Sequence, residues 1–168
     1  MPATDTSALF ALDLDGTLLN GDGRVTARAV GAIATVVDAG HRVVIATGRP
    51  PDLAVRATPE LVGLVSHIVG GNGTIISTFP DEEGGAAELV HVSGFDLSDA
   101  VEIIETVRGL DSGFGFALAT DRGFAHEPGF AQLMPAAVHD APVDDVLSLG
   151  GTTAFKLLVF HVERSVDE

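Results

Sequence analysis

The sequence contains no cysteine, tryptophan or tyrosine, and its one lysine is Lys156. Without cysteine there is no disulfide scaffold and no thiolate-bound metal, and the absence fits a cytoplasmic protein. Basic charge is scarce: nine Lys and Arg stand against 24 Asp and Glu, a net charge of −15. Such a surface repels nucleic acid, which argues against a nucleic-acid partner. A phosphorylated ligand would need local cations, a metal and one or two arginines. No apolar run reaches the roughly 20 residues of a membrane span, and the first residues have no basic, then apolar, leader pattern. No membrane association is therefore expected. What the chain has is Val, Ile, Leu and Ala, within a 46% hydrophobic composition that suits packed α/β layers.

The pattern along the chain predicts a fold class. Ala8 to Leu14 reads as a short buried strand running into a loop at Gly16. Thr26 is placed to cap a helix that runs to about Ala39, with Gly40 as its stop and Val30, Ile33, Val36 and Val37 on one face. Arg42 to Ala46 is a second strand, so these segments form a parallel βαβ unit with a right-handed crossover. Pro50 and Pro51 start a helix over 52–58, and His67 to Val69 is a third strand. From Thr74 the pattern changes. Ile75 to Phe79 and Leu89 to Val92 read as antiparallel strands, and Leu97 to Val107 as an amphipathic helix capped by Asp96 or Ser98. Phe114 to Thr120 and Gly123 to Glu127 read as a hairpin, and Ala154 to Val162 as a last strand. The expected class is α/β: residues 1–80 a partial Rossmann-like parallel-sheet core, residues 81–168 an α+β cap inserted into it.

The residues with the strongest chemical content are Asp13-Leu14-Asp15-Gly16-Thr17, at the carboxyl end of the first strand, where open α/β sheets bind ligands. Two carboxylates two residues apart reach one pocket if the chain turns at Gly16. One can attack phosphorus while the other exchanges protons, provided their environments differ. Thr47-Gly48-Arg49-Pro50 follows the second strand. Thr47 is suited to cap the helix after it and also to meet an anion through its hydroxyl and nearby N–H groups, two compatible roles because a helix N-terminus is itself an anion site. Arg49 suits either substrate phosphate or a loop contact, and Asn72-Gly73 either a site contact or a plain turn. The six histidines show no pair at metal-ligand spacing.

These motifs resemble the haloacid dehalogenase (HAD) superfamily over the first 78 residues, in particular its Cof-type sugar-phosphate phosphatases of subfamily IIB, which carry a large α/β cap after the third core strand. The resemblance implies a hydrolase that cleaves small phosphorylated metabolites through an aspartyl-phosphate. It makes Asp13 the nucleophile and Asp15 the general acid/base. Asp13 and Asp15 (through its backbone carbonyl) would hold Mg²⁺, and Gly16 and Thr17 would support the loop. Thr47, Gly48, Arg49 and Asn72 would bind phosphate. The family also uses a lysine and a late acidic motif. Lys156 lies in an apparent cap strand, as a substrate-facing residue or as the missing lysine. Asp144-Asp145 precedes its apolar run rather than following a strand, so a turn cap is the better reading. The resemblance thus implies a chain cut before the late motifs, with Glu163 to Glu168 opening a further helix. Lacking a fourth core strand, Leu9 to Leu14 would offer an unpaired apolar edge and favour a homodimer. The competing reading is a catalytically incomplete module that binds phosphate or Mg²⁺ or self-associates. A signalling receiver domain would place its acids on different strands, and a dinucleotide-binding dehydrogenase needs a G-x-G-x-x-G that is missing after the first strand.

Overall fold

A computed structural model describes residues 7–164 apart from 83, 86, 121–122 and 134–140. The expected helix opening at the end of the chain and His139 therefore lie largely or wholly outside the described residues. The chain divides into two compact units, Met1–Val92 and Ser93–Glu168.

The first unit is a five-stranded sheet in the order β1-β2-β3-β4-β5. Its strands are β1 (Leu9–Leu12), β2 (Arg42–Ala46), β3 (His67–Gly70), β4 (Ile75–Thr78) and β5 (Leu89–Val92). The first three run parallel and the last two antiparallel, giving a mixed sheet with flanking helices. Helix α1 (Ala27–Asp38) begins where the Thr26 hydroxyl accepts the Ala29 N–H at 3.2 Å, a cap worth about 1 kcal/mol. It ends at Gly40, whose φ of 84° closes the last turn at no Cβ cost. Ile33 of α1 is buried with Val43, Ile45, Ile68, Leu61 and Phe79, and Val30, Val36 and Val37 pack against this core. Helix α2 (Pro51–Ala57) starts on a proline pair and buries Ala54. The structural division falls between Val92 and Ser93, whereas the sequence pattern changed near residue 80. The reason is hydrogen bonding: β4 continues the sheet beside β3 (Val69 opposite Ile76), and β5 follows β4, so the antiparallel hairpin belongs to the first unit. At the opposite end β1 pairs only with β2 among the described strands, and Leu9 and Phe10 are 66% and 41% exposed.

The second unit is also a five-stranded sheet, ordered β6-β10-β7-β8-β9. It comprises β6 (Phe95–Asp96), helix α3 (Leu97–Leu110), β7 (Phe114–Thr120), β8 (Gly123–His126), helix α4 (Phe130–Leu133), β9 (Ala141–Pro142) and β10 (Thr153–His161). Asp96, one of the two caps expected, accepts the Ser98 N–H at 2.9 Å. The i, i+3, i+7 residues Leu97, Ala100 and Ile104 pack on Phe116, Leu118 and Ala154. On the other face Phe130, Phe124, Leu158 and Phe160 gather around Ala117. Gly115 is required there, because a Cβ would run into the Phe160 ring.

A charged cluster ties α3 to this sheet. Glu127, only 6% exposed, accepts Arg108 at 2.5 Å and the Phe116 and Val146 N–H groups at 3.0 Å each. Arg108 also donates to Asp145 at 2.7 Å and lies 5.4 Å from the Phe116 ring centroid. Asp145 in turn caps the helical turn Val146–Leu149 by accepting the Leu147 N–H at 2.8 Å, so Asp145 of the late acidic pair serves a turn. The Arg108 hydrogen bond, then that of Leu147, holds the Asp145 carboxyl below its ordinary range. A carboxyl lowered by folding stabilises the protein above its ordinary pKa of about 4, and that contribution fades as pH falls through the lower folded value. Urea midpoints measured from pH 7 to pH 3 should therefore fall below about pH 4, and Asp145→Asn should reduce that acid-side slope. A slope unchanged in the variant would contradict the assignment.

Candidate active site

Strand β1 ends at Leu12, and the chain stays extended at Asp13 (φ −78°, ψ 153°). Leu14 is fully buried and acts as the anchor of the loop, leaving Asp13 and Asp15 exposed on either side of it. Gly16 then takes φ 76°, a left-handed conformation that glycine adopts without strain. The loop closes where the Leu19 N–H donates to the Leu14 carbonyl, five residues back, at 2.9 Å. Thr17 donates its hydroxyl to Asp13 Oδ2 at 3.0 Å, so it orients the first aspartate directly.

The second half of the site comes from the ends of β2 and β3. Thr47 is 5% exposed, and its hydroxyl oxygen accepts the Arg49 N–H at 3.1 Å. It therefore shapes a turn around Gly48. The cap position of α2 belongs to Pro50, with no side-chain hydrogen bond, so the helix-cap reading of Thr47 is not what the fold uses. The loop after β3 is zipped onto this turn by two main-chain bonds: Gly71 N–H to the Arg49 carbonyl (2.9 Å) and Asn72 N–H to the Thr47 carbonyl (3.2 Å). Asn72, exposed at φ 62°, is the one non-glycine residue with positive φ among the described residues, a conformation Asn tolerates better than most. A Cβ on Gly70 would stand 2.9 Å from both the Arg49 carbonyl and the Pro51 ring. Gly70→Ala should therefore displace the Thr47–Arg49 turn and cost about 1–3 kcal/mol. A urea midpoint equal to that of the parent would contradict this.

Arg49 reaches back across the strand ends to Asp15, with Nε on Oδ2 at 2.8 Å and Nη2 on Oδ1 at 2.5 Å. This fork holds the Asp15 carboxyl below its ordinary range, chiefly by hydrogen bonding, while burial pushes the other way. The pairing was not foreseen from sequence, where Arg49 was assigned to phosphate or to its own loop. A signal for it existed: β1 and β2 pair in parallel with Leu12 opposite Ile45, so residues three and four beyond those positions emerge side by side. The first unit thus brings together Asp13, Asp15, Gly16, Thr17, Thr47, Gly48, Arg49 and Asn72. Lys156 belongs to the second unit, half-buried on β10 opposite Ala119.

Asp13 and the Asp15 main-chain carbonyl are hard oxygen donors of the kind Mg²⁺ takes, alongside waters and substrate oxygens. Among the described residues no group of three or more His, Cys, Asp or Glu is arranged to hold a metal. The donors present therefore fit Mg²⁺ as a partial shell, not as an all-protein cage.

Fold and site together define a class: an α/β protein whose polar side chains converge at the carboxyl ends of parallel strands. The chain belongs to the haloacid dehalogenase-like hydrolase family, whose sequence profile matches residues 10–165. Over 77 residues it is 36% identical to the 5-amino-6-(5-phospho-D-ribitylamino)uracil phosphatase YitU of Bacillus subtilis, covering 46% of this chain and 28% of that one. Over 99 residues it is 33% identical to the HMP-PP phosphatase of Yersinia enterocolitica, covering 59% of this chain and 32% of that one. Among solved structures, a haloacid dehalogenase-like hydrolase from B. subtilis superposes with a TM-score of 0.72 at 20% identity, over 90% of this chain and 61% of that one. SMU.1108c from Streptococcus mutans gives a TM-score of 0.73 at 18% identity, over 92% of this chain and 57% of that one. The matched stretches thus span about a third of the curated relatives and somewhat over half of the solved structures.

Proposed function

We propose that this chain carries the reaction centre of a Mg²⁺-dependent phosphomonoester hydrolase acting on small phosphorylated metabolites, sugar phosphates among them. The observation that supports this most is the exposed Asp13 carboxylate, oriented by Thr17 beside the Thr47–Arg49 turn. Asp13 attacks phosphorus, the ester P–O bond breaks, and Asp15, released from Arg49 and protonated from solvent, gives that proton to the departing alcohol oxygen. Water then attacks the aspartyl-phosphate, Asp15 takes the proton, and phosphate leaves with Asp13 restored. The Thr47 hydroxyl, the Gly48 and Asn72 region and Arg49 bind the transferring group. Asp13 and the Asp15 carbonyl would hold Mg²⁺, which would supply positive charge against the phosphoryl oxygens. The first unit acts as the chemical core, the second as a cap that selects the substrate, with Lys156 as a substrate contact. The cytoplasm is the setting where phosphorylated metabolites are met; among the described residues no helix is long and apolar enough to cross a membrane.

The test is phosphate release from p-nitrophenyl phosphate, with and without Mg²⁺, by the full chain. Turnover that needs the metal supports the proposal. A folded sample with no turnover favours the second reading, a phosphate- or Mg²⁺-binding module that self-associates. That reading draws on the exposed β1 edge, where Leu9 and Phe10 are available to a second copy. It predicts a dimer in sedimentation, and a monodisperse monomer would remove it.

A further inference from the structure

Arg49 holds both carboxylate oxygens of Asp15 with its Nε and Nη2. In that arrangement the fork occupies the two atoms through which Asp15 would hand over or collect a proton. The pair is solvent-exposed, with 36% of the Arg49 side chain and 57% of that of Asp15 accessible, so it contributes little and opens readily. The backbone beneath Arg49 is fixed by contrast. Its N–H is held by the Thr47 hydroxyl and its carbonyl by the Gly71 N–H, and Gly70 leaves no room for the turn to shift. A long side chain on a fixed stem can change partners without moving the loop. A phosphoryl dianion offers the same fork geometry as a carboxylate with more charge, and guanidinium groups bind it in the same two-pronged way.

We propose that the phosphoryl group of the substrate displaces Asp15 from Arg49, so that one side chain both captures the phosphate and releases the neighbouring carboxylate for its work. The inference rests on the reading of Asp15 as the proton-exchanging group. Arg49 is then a phosphate contact and also the residue that positions Asp15. Ligands without a dianionic phosphoryl group leave the pair closed, which ties the availability of Asp15 to the presence of the correct group. Lysine at position 49 would keep the charge but could not hold two oxygens in a fork.

The experiment uses the full chain with Mg²⁺, titrated with inorganic phosphate. Binding is measured by calorimetry, and the Arg49 side-chain N–H is followed by nitrogen-15 NMR. Asp15→Asn should bind phosphate more tightly by up to about fivefold, because the competing carboxylate charge is gone. Arg49→Ala should bind about 10- to 100-fold more weakly and Arg49→Lys should fall between. The double variant decides the matter: on an Arg49→Ala background the gain from Asp15→Asn should disappear, whereas simple repulsion between Asp15 and phosphate would leave it intact. An Arg49 resonance unmoved at saturating phosphate, a gain that persists without Arg49, or no phosphate binding by either the parent or Asp15→Asn would each overturn the exchange. Failure of the underlying reading looks different: Arg49 moves and the cycle couples, yet Asp15→Asn leaves the rate of p-nitrophenyl phosphate hydrolysis unchanged.

Discussion

Asp13→Asn is expected to lower kcat for phosphomonoester hydrolysis by roughly 10⁴- to 10⁶-fold, because an amide at that position cannot form the acyl-phosphate bond. The loss should fall on kcat rather than on folding. Asp13 is exposed and its described contact is a single hydrogen bond from Thr17, so the unfolding free energy from urea denaturation should stay within about 0.5 kcal/mol of the parent. Thr17→Val gives the graded companion: it removes the group that orients Asp13 while leaving the carboxylate in place, and a drop of about 10-fold would be in line with lost positioning. An Asp13→Asn enzyme that retains most of its turnover would remove Asp13 from the chemistry, whatever the family resemblance.

The second large effect concerns stability and lies in the other unit. Glu127→Ala should destabilise the protein by about 3–5 kcal/mol, the usual cost of breaking a buried charge cluster from one side. Glu127 is 6% exposed and receives Arg108 and two main-chain N–H groups, so its removal orphans the Phe116 and Val146 amides as well. Arg108→Leu should cost a comparable amount, since it leaves the carboxylate buried without its cation. The two losses should not add, because each breaks the same cluster. Chemical denaturation of both single variants and the double variant checks this, and fully additive losses would contradict a shared network.

Strand β2 is legible from sequence because it is buried and so appears as a continuous apolar run: Val43, Val44 and Ile45 are all interior, whereas β1, expected to be buried from the same kind of run, is exposed from Leu9 to Ala11 because only β2 flanks it among the described strands. The helix from Thr26 to Gly40 was equally plain, since cap, apolar face and glycine stop agree with one another. Asp13, Asp15 and Thr47 stand out in the sequence because each follows an apolar run. What escaped has a common physical character, that of a partnership between distant positions. Asp15 and Arg49 are 34 residues apart, and only the β1–β2 register brings them together. Glu127 read as the last residue of a strand, whereas β8 stops at His126 and Glu127 turns inward to Arg108, 19 residues earlier. Helix α4 and strand β9, of four and two residues, are too short to produce a periodic signal. The hairpin of β4 and β5 was seen correctly as antiparallel. Its membership of the first sheet depends on the pairing of Val69 with Ile76, which no local pattern announces.

The most direct test of the central claim is to look for the covalent intermediate. The full chain is mixed with p-nitrophenyl phosphate and Mg²⁺, quenched in acid within the first turnovers, digested and examined by mass spectrometry. The account predicts one added phosphoryl group on the peptide that contains Asp13, labile to hydroxylamine and missing from Asp13→Asn. Turnover without any phosphorylated Asp13 peptide, or with the phosphoryl group on another residue, would contradict it.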